Sequence, residues 1–185
     1  MPTVRWDGTT VLVTPRLVLR TFRRDDLLAY AALNADPQVY RSLAGVPMPA
    51  AESDELAEWA NECHAAEGVG MLAVERRADG VFLGQCGVHH QESYPDDLEV
   101  AWRFASQHWG HGYATEAATA WVDHAFRVVG SDRVISMTDP DNDRSLAVMR
   151  RLGMAFDHAA QITDSGQVHD AVVYVLTREQ WDLRH

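Results

Sequence analysis

The feature that most constrains this chain is a pair of glycines, Gly110 and Gly112, placed between a strand-like run and a strongly patterned helix. Apolar residues within 114–126 recur at the spacing of one helix face. Residues 98–104 alternate between apolar and polar faces, as in a half-buried strand. The first turn of a helix offers free N–H groups and a partial positive charge, and glycine lets an anion approach them. We therefore expect a loop that holds a phosphate.

The residues around the two glycines exclude the two commonest phosphate loops. A Walker A loop needs Lys and then Ser or Thr after its second glycine, but Gly112 is followed by Tyr113 and Ala114. A dinucleotide loop needs a third Gly or Ala where Thr115 stands, and a strand that runs directly into its first glycine near the start of a domain. Neither pattern fits.

Three stretches instead resemble one family. Residues 107–112, Gln-His-Trp-Gly-His-Gly, resemble the Q/R-x-x-G-x-G/A acyl-CoA loop of the GNAT N-acetyltransferase superfamily. The continuation Tyr-Ala-Thr-Glu-Ala at 113–117 and Thr-Pro-Arg-Leu-Val-Leu-Arg at 14–20 resemble its RimJ/RimL-type branch, the ribosomal-protein N-terminal acetyltransferases and their relatives. The block at 139–153, D-P-x-N-x-x-S followed by Leu-Gly, is also similar. The matches occur in the family's order, and the resemblance covers residues from about 14 to 181.

The resemblance implies an α/β chain with the GNAT fold, a mixed, mostly antiparallel sheet with a central splayed parallel strand pair and flanking helices. A length of 185 residues suits one domain, residues 1–185. The patterned helix links strands at 98–104 and 133–138, which predicts that this pair is parallel. Asp79-Gly80 predicts a hairpin between strands at 70–75 and 81–89.

Periodicity and turn residues also predict the remaining elements. We expect one strand across 12–20, with Pro15 at its start or in a preceding turn. A first helix follows Asp26 and ends near Pro37. A second, at 53–67, carries one stripe of Leu56, Trp59, Ala60 and Cys63. Loops are expected at 41–51 and 91–97, a short helix after Asn142, closing strands at 154–156 and 168–176, and a last helix at 178–181.

Composition restricts the partners. The net charge is −11, from 27 acidic and 16 basic side chains, without a basic cluster, which argues against nucleic acid and anionic membranes as partners. An acidic surface suits cationic substrates. No apolar run reaches about 20 residues, and residues 1–7 lack the apolar core of a signal peptide. Cys63 and Cys86 form no Cys-x-x-Cys pair, so we expect reduced thiols and a cytoplasmic protein. The nine histidines show no metal-ligand grouping, and no metal is expected.

The resemblance implies acetyl-CoA as co-substrate, with its pyrophosphate on the glycine loop and its pantetheine arm paired to the strand before it. Backbone N–H groups would meet the phosphates, while Trp109 and Tyr113 mainly pack. The alternative is a helix entry without a ligand. The residues expected to contact the cofactor are Phe104, Gln107, Trp109, Gly110, His111, Gly112, Tyr113, Ala114, Thr115 and Asn142.

Asn142 and Ser145 each have two interpretations. An Asn just before a helix commonly caps its N-terminus, whereas the matching residue of the family meets the pantetheine arm. Ser145 is either an ordinary first-turn residue or, as the branch implies, the group that protonates the departing thiolate. In the second case water is the alternative proton donor.

An amine attacks a thioester only when it is unprotonated, so the reaction needs a general base. Glu99, on the strand that leads into the glycine loop, is the first candidate, and its alternative role is an outward strand residue. His89 is the second candidate, because the intrinsic pKa of histidine suits the task. The attack is expected to be direct, without a cysteine nucleophile. The resemblance places oxyanion-stabilising N–H groups around residues 104–106.

The sequence therefore predicts an acetyl-CoA-dependent N-acetyltransferase that acts on a primary amine. The branch favours a peptide or protein N-terminus, and small amines such as antibiotics or polyamines are the alternative. A non-catalytic acyl-CoA-binding module and a nucleotide-binding domain are the hypotheses from other classes. A homodimer is an expectation from the family alone.

Overall fold

The computed structural model describes residues 5–41, 46–91, 93–164 and 167–184. Its strands are β1 Thr10–Val13, β2 Leu17–Arg20, β3 Gly70–Arg76, β4 Phe82–Gln91, β5 Tyr94–Phe104, β6 Arg133–Thr138, β7 Ala155–Asp164 and β8 Gln167–Thr177. Its α-helices are α1 Leu27–Asn34, α2 Pro37–Tyr40, α3 Ala50–Glu67, α4 Tyr113–His124, α5 Asp143–Leu152 and α6 Arg178–Asp182. Part of the loop expected at 41–51 lies outside the described residues.

The eight strands form one sheet in the order β1-β2-β3-β4-β5-β6-β8-β7. Every neighbouring pair is antiparallel except β5 and β6, which are parallel. That parallel pair is short, because its register covers only Leu98 opposite Val134 and Glu99 opposite Ile135. Beyond Glu99 the two strands separate, so the expected mixed sheet with a central splayed pair is confirmed.

The apolar face of α4 packs on one side of the sheet, as its spacing predicts. Trp121 and Val122 are fully buried, and the Trp121 indole N–H donates to the backbone oxygen of Cys86 on β4 at 2.9 Å. A π-helical turn at Ala125–Val129 follows, and Gly130 at φ 86° ends it. The opposite side of the sheet carries a second cluster built from α1 and α3, with Phe22, Tyr30, Ala57, Ala60, Met71 and Ala73 buried.

The structure corrects three expectations. The single strand at 12–20 is a hairpin of β1 and β2, because Pro15 lies in a turn closed by the Thr14 N–H on the Leu17 oxygen at 3.0 Å. The polar stretch expected as a loop at 91–97 largely belongs to strands, since β4 reaches Gln91 and β5 begins at Tyr94. The predicted stripe of α3 is only partly correct: Ala60 is buried as expected, but Ala57 and Asn61 are buried as well, whereas Trp59 is 44% exposed.

The helices that the sequence placed near α5 and α6 are present. Asn142 caps α5 and Gly153 ends it at φ 88°. The apolar residues Leu146, Met149 and Leu152 face the core. Among the described helices, none is both long and apolar enough to cross a bilayer.

Candidate active site

The separation of β5 from β6 opens a cleft of about 1380 Å³. Pockets for a single small ligand usually measure roughly 300–1,000 Å³, so this cleft has room for two ligands side by side. One half is lined by the glycine loop and the start of α5. The other half is lined by α2, α3 and the upper part of β4, with contributions from β7 and β8. The two halves meet where the strands divide, beside Glu99.

The glycine loop is held open toward the cleft. Gly110 and Gly112 have φ values of 79° and 78°, which favour glycine. Apart from Gly110 itself and its two chain neighbours, no described atom lies within 4 Å of the position that a Cβ on Gly110 would occupy. Gly112 is the N-cap of α4, and the first N–H bonded back along that helix is that of Glu116, on the Gly112 oxygen at 3.0 Å. The first turn of α4 therefore has N–H groups without a helical acceptor, and its residues line the cleft, as an anion site requires.

Side chains on either side brace this loop. The Trp109 indole N–H donates to the Phe104 oxygen at 2.8 Å, which closes the loop on the end of β5. The Arg144 guanidinium, from the first turn of α5, lies 4.2 Å from the centre of the Trp109 ring. Tyr113 is only 8% exposed and packs in the core. The packing roles predicted for Trp109 and Tyr113 agree with these contacts.

Residues of the hairpin turn between β1 and β2 hydrogen-bond to the glycine loop and to the first turn of α4. Arg16 donates from Nη1 to the His111 oxygen at 2.9 Å and from Nε to Glu116 at 2.6 Å. The Thr14 hydroxyl donates to the same carboxylate at 2.6 Å. Burial would raise the pKa of Glu116, but these hydrogen bonds lower it below its ordinary value. The sequence marked the Thr14 and Arg16 stretch and Glu116 as separate matches, and their contact could not be read from it.

Glu99 and His89 lie opposite each other on β5 and β4. The His89 Nε2 is 3.6 Å from a Glu99 carboxylate oxygen, and Glu99 is only 8% exposed. Both line the cleft where β5 leaves β6. The Trp59 and His89 rings lie nearly perpendicular, with centroids 6.4 Å apart. The structure therefore brings the two predicted base candidates together and adds Trp59, which the sequence had assigned to packing.

Asn142 acts as a cap and still faces the cleft. Its side-chain oxygen accepts from the Ser145 N–H at 3.2 Å, which is the cap, and its Nδ2 donates to the Thr138 hydroxyl at 2.9 Å. Nδ2 also lies 3.1 Å from the Ser145 hydroxyl oxygen as a donor. Because that hydroxyl accepts from Asn142, its own proton remains free to be donated elsewhere. Both side chains line the cleft.

Most of the predicted cofactor residues lie together, but Gln107 does not. Its exposed side-chain amide lies 3.3 Å from the His108 ring, outside the cleft lining. Within the predicted oxyanion stretch, the Ala105 N–H donates to the Leu83 oxygen at 3.0 Å and is not available to a ligand. The other predicted residues, which all line the cleft, are Phe104, Trp109, Gly110, His111, Gly112, Tyr113, Ala114, Thr115 and Asn142.

Two further groups, Cys86 and His108, have pKa values that burial shifts toward the uncharged form. Burial raises the pKa of the Cys86 thiol, which lies within the core and stays protonated. Burial and the nearby Arg76 lower the pKa of His108, so its ring is neutral near pH 7. These environments agree with direct attack by an amine and with phosphate binding by backbone N–H groups.

The comparisons with known proteins agree with this geometry. The family described as "Acetyltransferase (GNAT) domain" matches residues 16–155. The uncharacterised protein YkkB of Bacillus subtilis (strain 168) is 33% identical over 149 residues, which cover 80% of this chain and 86% of that protein.

Solved structures show the same fold. The acetyltransferase from Agrobacterium tumefaciens str. C58 has a TM-score of 0.78 at 28% identity, covering 96% of this chain and 99% of that one. RimL, a ribosomal L7/L12 alpha-N-protein acetyltransferase, has a TM-score of 0.76 at 18% identity, covering 92% and 94%. With the family match spanning most of the sequence, the chain belongs to the GNAT acetyltransferases, and it is an enzyme of that family.

Proposed function

We propose that this enzyme transfers the acetyl group of acetyl-CoA to a primary amine by direct attack, with both substrates bound in the cleft. The observation that carries the proposal is the wedge between β5 and β6, which has the glycine loop at its wide end and Glu99 at its apex. A thioester arm that enters from the loop would end beside the carboxylate that can receive the amine proton.

The cleft fits the parts of acetyl-CoA. The free N–H groups at the start of α4 and the open space above Gly110 suit a pyrophosphate. Backbone groups of β5 beyond Glu99 face the gap left by β6 and can pair with the amides of a pantetheine arm. On the other wall, the Asn142 Nδ2 donates to the hydroxyls of Thr138 and Ser145 and holds the Ser145 side chain at the cleft. Acetyl-CoA supplies the activated acyl group.

The roles of the side chains follow from the direction in which protons must move. Glu99, directly or through His89 at 3.6 Å or a water, accepts a proton from the attacking amine. N–H groups of β5 between Glu99 and Phe104, rather than that of Ala105, stabilise the charge that develops on the carbonyl oxygen. Ser145 gives its hydroxyl proton to the departing sulfur and regains one from solvent. The acyl carbon gains a bond to nitrogen and loses its bond to sulfur, and free CoA leaves.

A peptide or protein N-terminus is the acceptor that we favour. RimL, whose fold this chain shares, is a ribosomal L7/L12 alpha-N-protein acetyltransferase, although its 18% identity extends to the fold alone. The acceptor half of the cleft is open, and residues of α2, α3, β7 and β8 contribute to its lining. A lining from several elements suits a peptide that binds in an extended conformation.

The test is the release of free CoA thiol from acetyl-CoA over a panel of amines. The panel contains peptides that begin with Ser, Ala or Met, polyamines, aminoglycosides and free amino acids. Turnover on the peptides would support the proposal, and turnover on a small amine alone would replace the acceptor class. Acetyl-CoA binding without turnover on any amine would favour a non-catalytic module, and absence of acetyl-CoA binding would overturn the whole proposal.

A further inference from the structure

Arg103 is a cation of the cleft that has no acidic partner within the described part of the chain. Its half-buried side chain lines the acceptor half and donates from Nη1 to the Asn34 side-chain oxygen at 2.7 Å. Among the ion pairs of the described residues, none involves Arg103. A guanidinium carries five N–H donors, so most of this donor capacity is left for a ligand.

The side chain that Arg103 contacts, Asn34, is neutral, and so is the Gln85–Tyr30 pair beside it. Asn34 donates to the Ser53 hydroxyl at 2.8 Å, and Gln85, opposite Arg103 on β4, accepts from the Tyr30 hydroxyl at 2.8 Å. Burial raises the pKa of Tyr30, which keeps its phenol uncharged. The network therefore positions the guanidinium without neutralising it. A partly buried charge is costly unless an opposite charge meets it.

Arg103 differs from the other arginines that line the cleft because it is half-buried, whereas the others are exposed. Arg16 pairs with Glu116, and Arg144 stacks on Trp109. Arg151 is exposed to water. The acid next to the Arg103 site, Asp36, accepts instead from the Ser106 hydroxyl and from the Gln38 N–H.

The Arg103 side chain lies on the face of β5 opposite to that of Phe104, the last residue of the strand before the glycine loop. Side chains alternate along β5, so Phe104 faces the α4 side, whereas Glu99 and Arg103 share the face toward α1 and α3. Arg103 stands four residues beyond Glu99, a distance of about 13 Å along an extended strand. An anion at Arg103 thus lies on the acceptor side, on the order of 10 Å from an amine at Glu99.

We propose that Arg103 binds a carboxylate of the acceptor, about 10 Å from the amine that is acetylated. This inference rests on the proposed function and narrows its substrate class. In a peptide, an acidic side chain at the third residue has this separation from the N-terminal amine. A small amine reaches this separation only if its carboxylate lies at the far end of a chain of about eight carbons. In α-amino acids the amine and the carboxylate are too close together.

The experiment compares matched acceptors that differ in one charge. The first pair is a peptide beginning Ser-Leu-Glu and the same peptide with Gln in place of Glu. The second is 8-aminooctanoic acid and its amide, which distinguishes a peptide source of the carboxylate from a small molecule. We expect kcat/KM to be about 10- to 100-fold higher for the acid of at least one pair, because a charge-assisted contact is lost in the amide.

Two variants assign that preference to Arg103. Arg103→Gln should remove it while leaving KM for acetyl-CoA unchanged. Asn34→Asp should weaken it without removing the guanidinium, because it gives Arg103 an internal carboxylate 2.7 Å away. Arg150→Gln, which removes an exposed charge of α5 outside the cleft, is the matched control and should keep the preference.

The results separate this inference from the function on which it rests. Equal kcat/KM for acid and amide in the wild type would overturn the inference while leaving the acetyltransferase proposal standing. A higher KM for acetyl-CoA in Arg103→Gln would assign the anion to the cofactor and would also overturn it. If no acceptor turns over, binding is measured by calorimetry with CoA present. The inference is supported if the wild type binds the acids more tightly than the amides and Arg103→Gln does not. It is rejected if the wild type binds acids and amides equally.

Discussion

Glu99 is the residue that we propose as the general base, because it is buried beside His89 at the apex of the wedge. Glu99→Gln keeps the size of the side chain and removes its ability to take a proton. We expect kcat to fall by about 10²- to 10⁴-fold, the usual contribution of a general base. KM for acetyl-CoA should stay within about twofold, because the cofactor contacts are made elsewhere.

The measurement is a full pH–rate profile of Glu99→Gln on the best amine, with thermal unfolding as the control for folding. The ascending limb that reports the base should disappear from kcat/KM. If Glu99→Gln keeps the wild-type rate and the same ascending limb, Glu99 is not the general base. His89 is then the remaining candidate and the next residue to substitute.

Among the elements, α5 is preceded by Asn142, a cap for which we also propose a role in the cleft. Asn142→Ala removes the cap and should lower the free energy of unfolding by about 1 kcal/mol. Asn142→Asp keeps an oxygen for the Ser145 N–H, but it replaces the Nδ2 donors of the Thr138 and Ser145 hydroxyls by a negative charge at the cleft wall, which would repel the phosphates of the cofactor. We expect Asn142→Asp to unfold near the wild-type temperature and to bind acetyl-CoA more weakly. Calorimetry and thermal unfolding measure the two effects, and equal affinity in both proteins would reduce Asn142 to a cap.

The tie between the β1–β2 turn and α4 should make stability depend on pH. The folded pKa of Glu116 lies below its ordinary value, so the stabilisation is complete above the unfolded pKa, about 4.3, and is lost as pH falls through the folded pKa. Since Arg16 is half exposed, we expect Glu116→Gln to cost about 1 kcal/mol at pH 7, or roughly 2–4 °C in Tm.

That difference in Tm should shrink toward zero below about pH 4. Glu58→Gln, which changes an exposed acid of α3 outside the cleft, is the control and should show no such trend. If the deficit of Glu116→Gln were constant from pH 7 to pH 3, the charge of Glu116 would not be the source of the stabilisation.

At the scale of the whole molecule, the cleft divides the sheet into two blocks that meet at two residue pairs of β5 and β6. A ligand that fills it should therefore stabilise the entire fold. Acetyl-CoA at about 100 times its Kd should add about 2.7 kcal/mol, which raises Tm by roughly 5–10 °C. Differential scanning fluorimetry measures this shift. NAD and ATP at the same concentration should give none, and an equal shift with either would favour a nucleotide site.

The sequence predicted the parts of the molecule that depend on local patterns. The helix after Gly112, the hairpin at Gly80 and the stop at Gly153 follow from spacing and from glycine conformation, and the structure has all three. The turn at Pro15 was partly missed, because alternation continues across it. Trp59 was misassigned, because its apolar character is used on the cleft wall rather than in the core.

The sequence named single residues and one contiguous loop of the candidate site, but it could not predict the contacts between distant residues. The glycine loop is one stretch, and the motif resemblance placed it correctly beside the cleft. The contact of Arg16 with Glu116 joins residues 100 positions apart, and Arg103 meets Asn34 across 69. Such contacts depend on how strands and helices pack, which residue spacing does not encode.

The short pairing of β5 with β6 also has a consequence for amide hydrogen exchange. A strand at the centre of an eight-stranded sheet is normally among the slowest segments to exchange. Here roughly every second N–H of β5 beyond Glu99 points into the wedge instead of toward a neighbouring strand. These central amides should exchange with solvent deuterium as rapidly as those of an outer strand, and they should slow when acetyl-CoA supplies the missing acceptors.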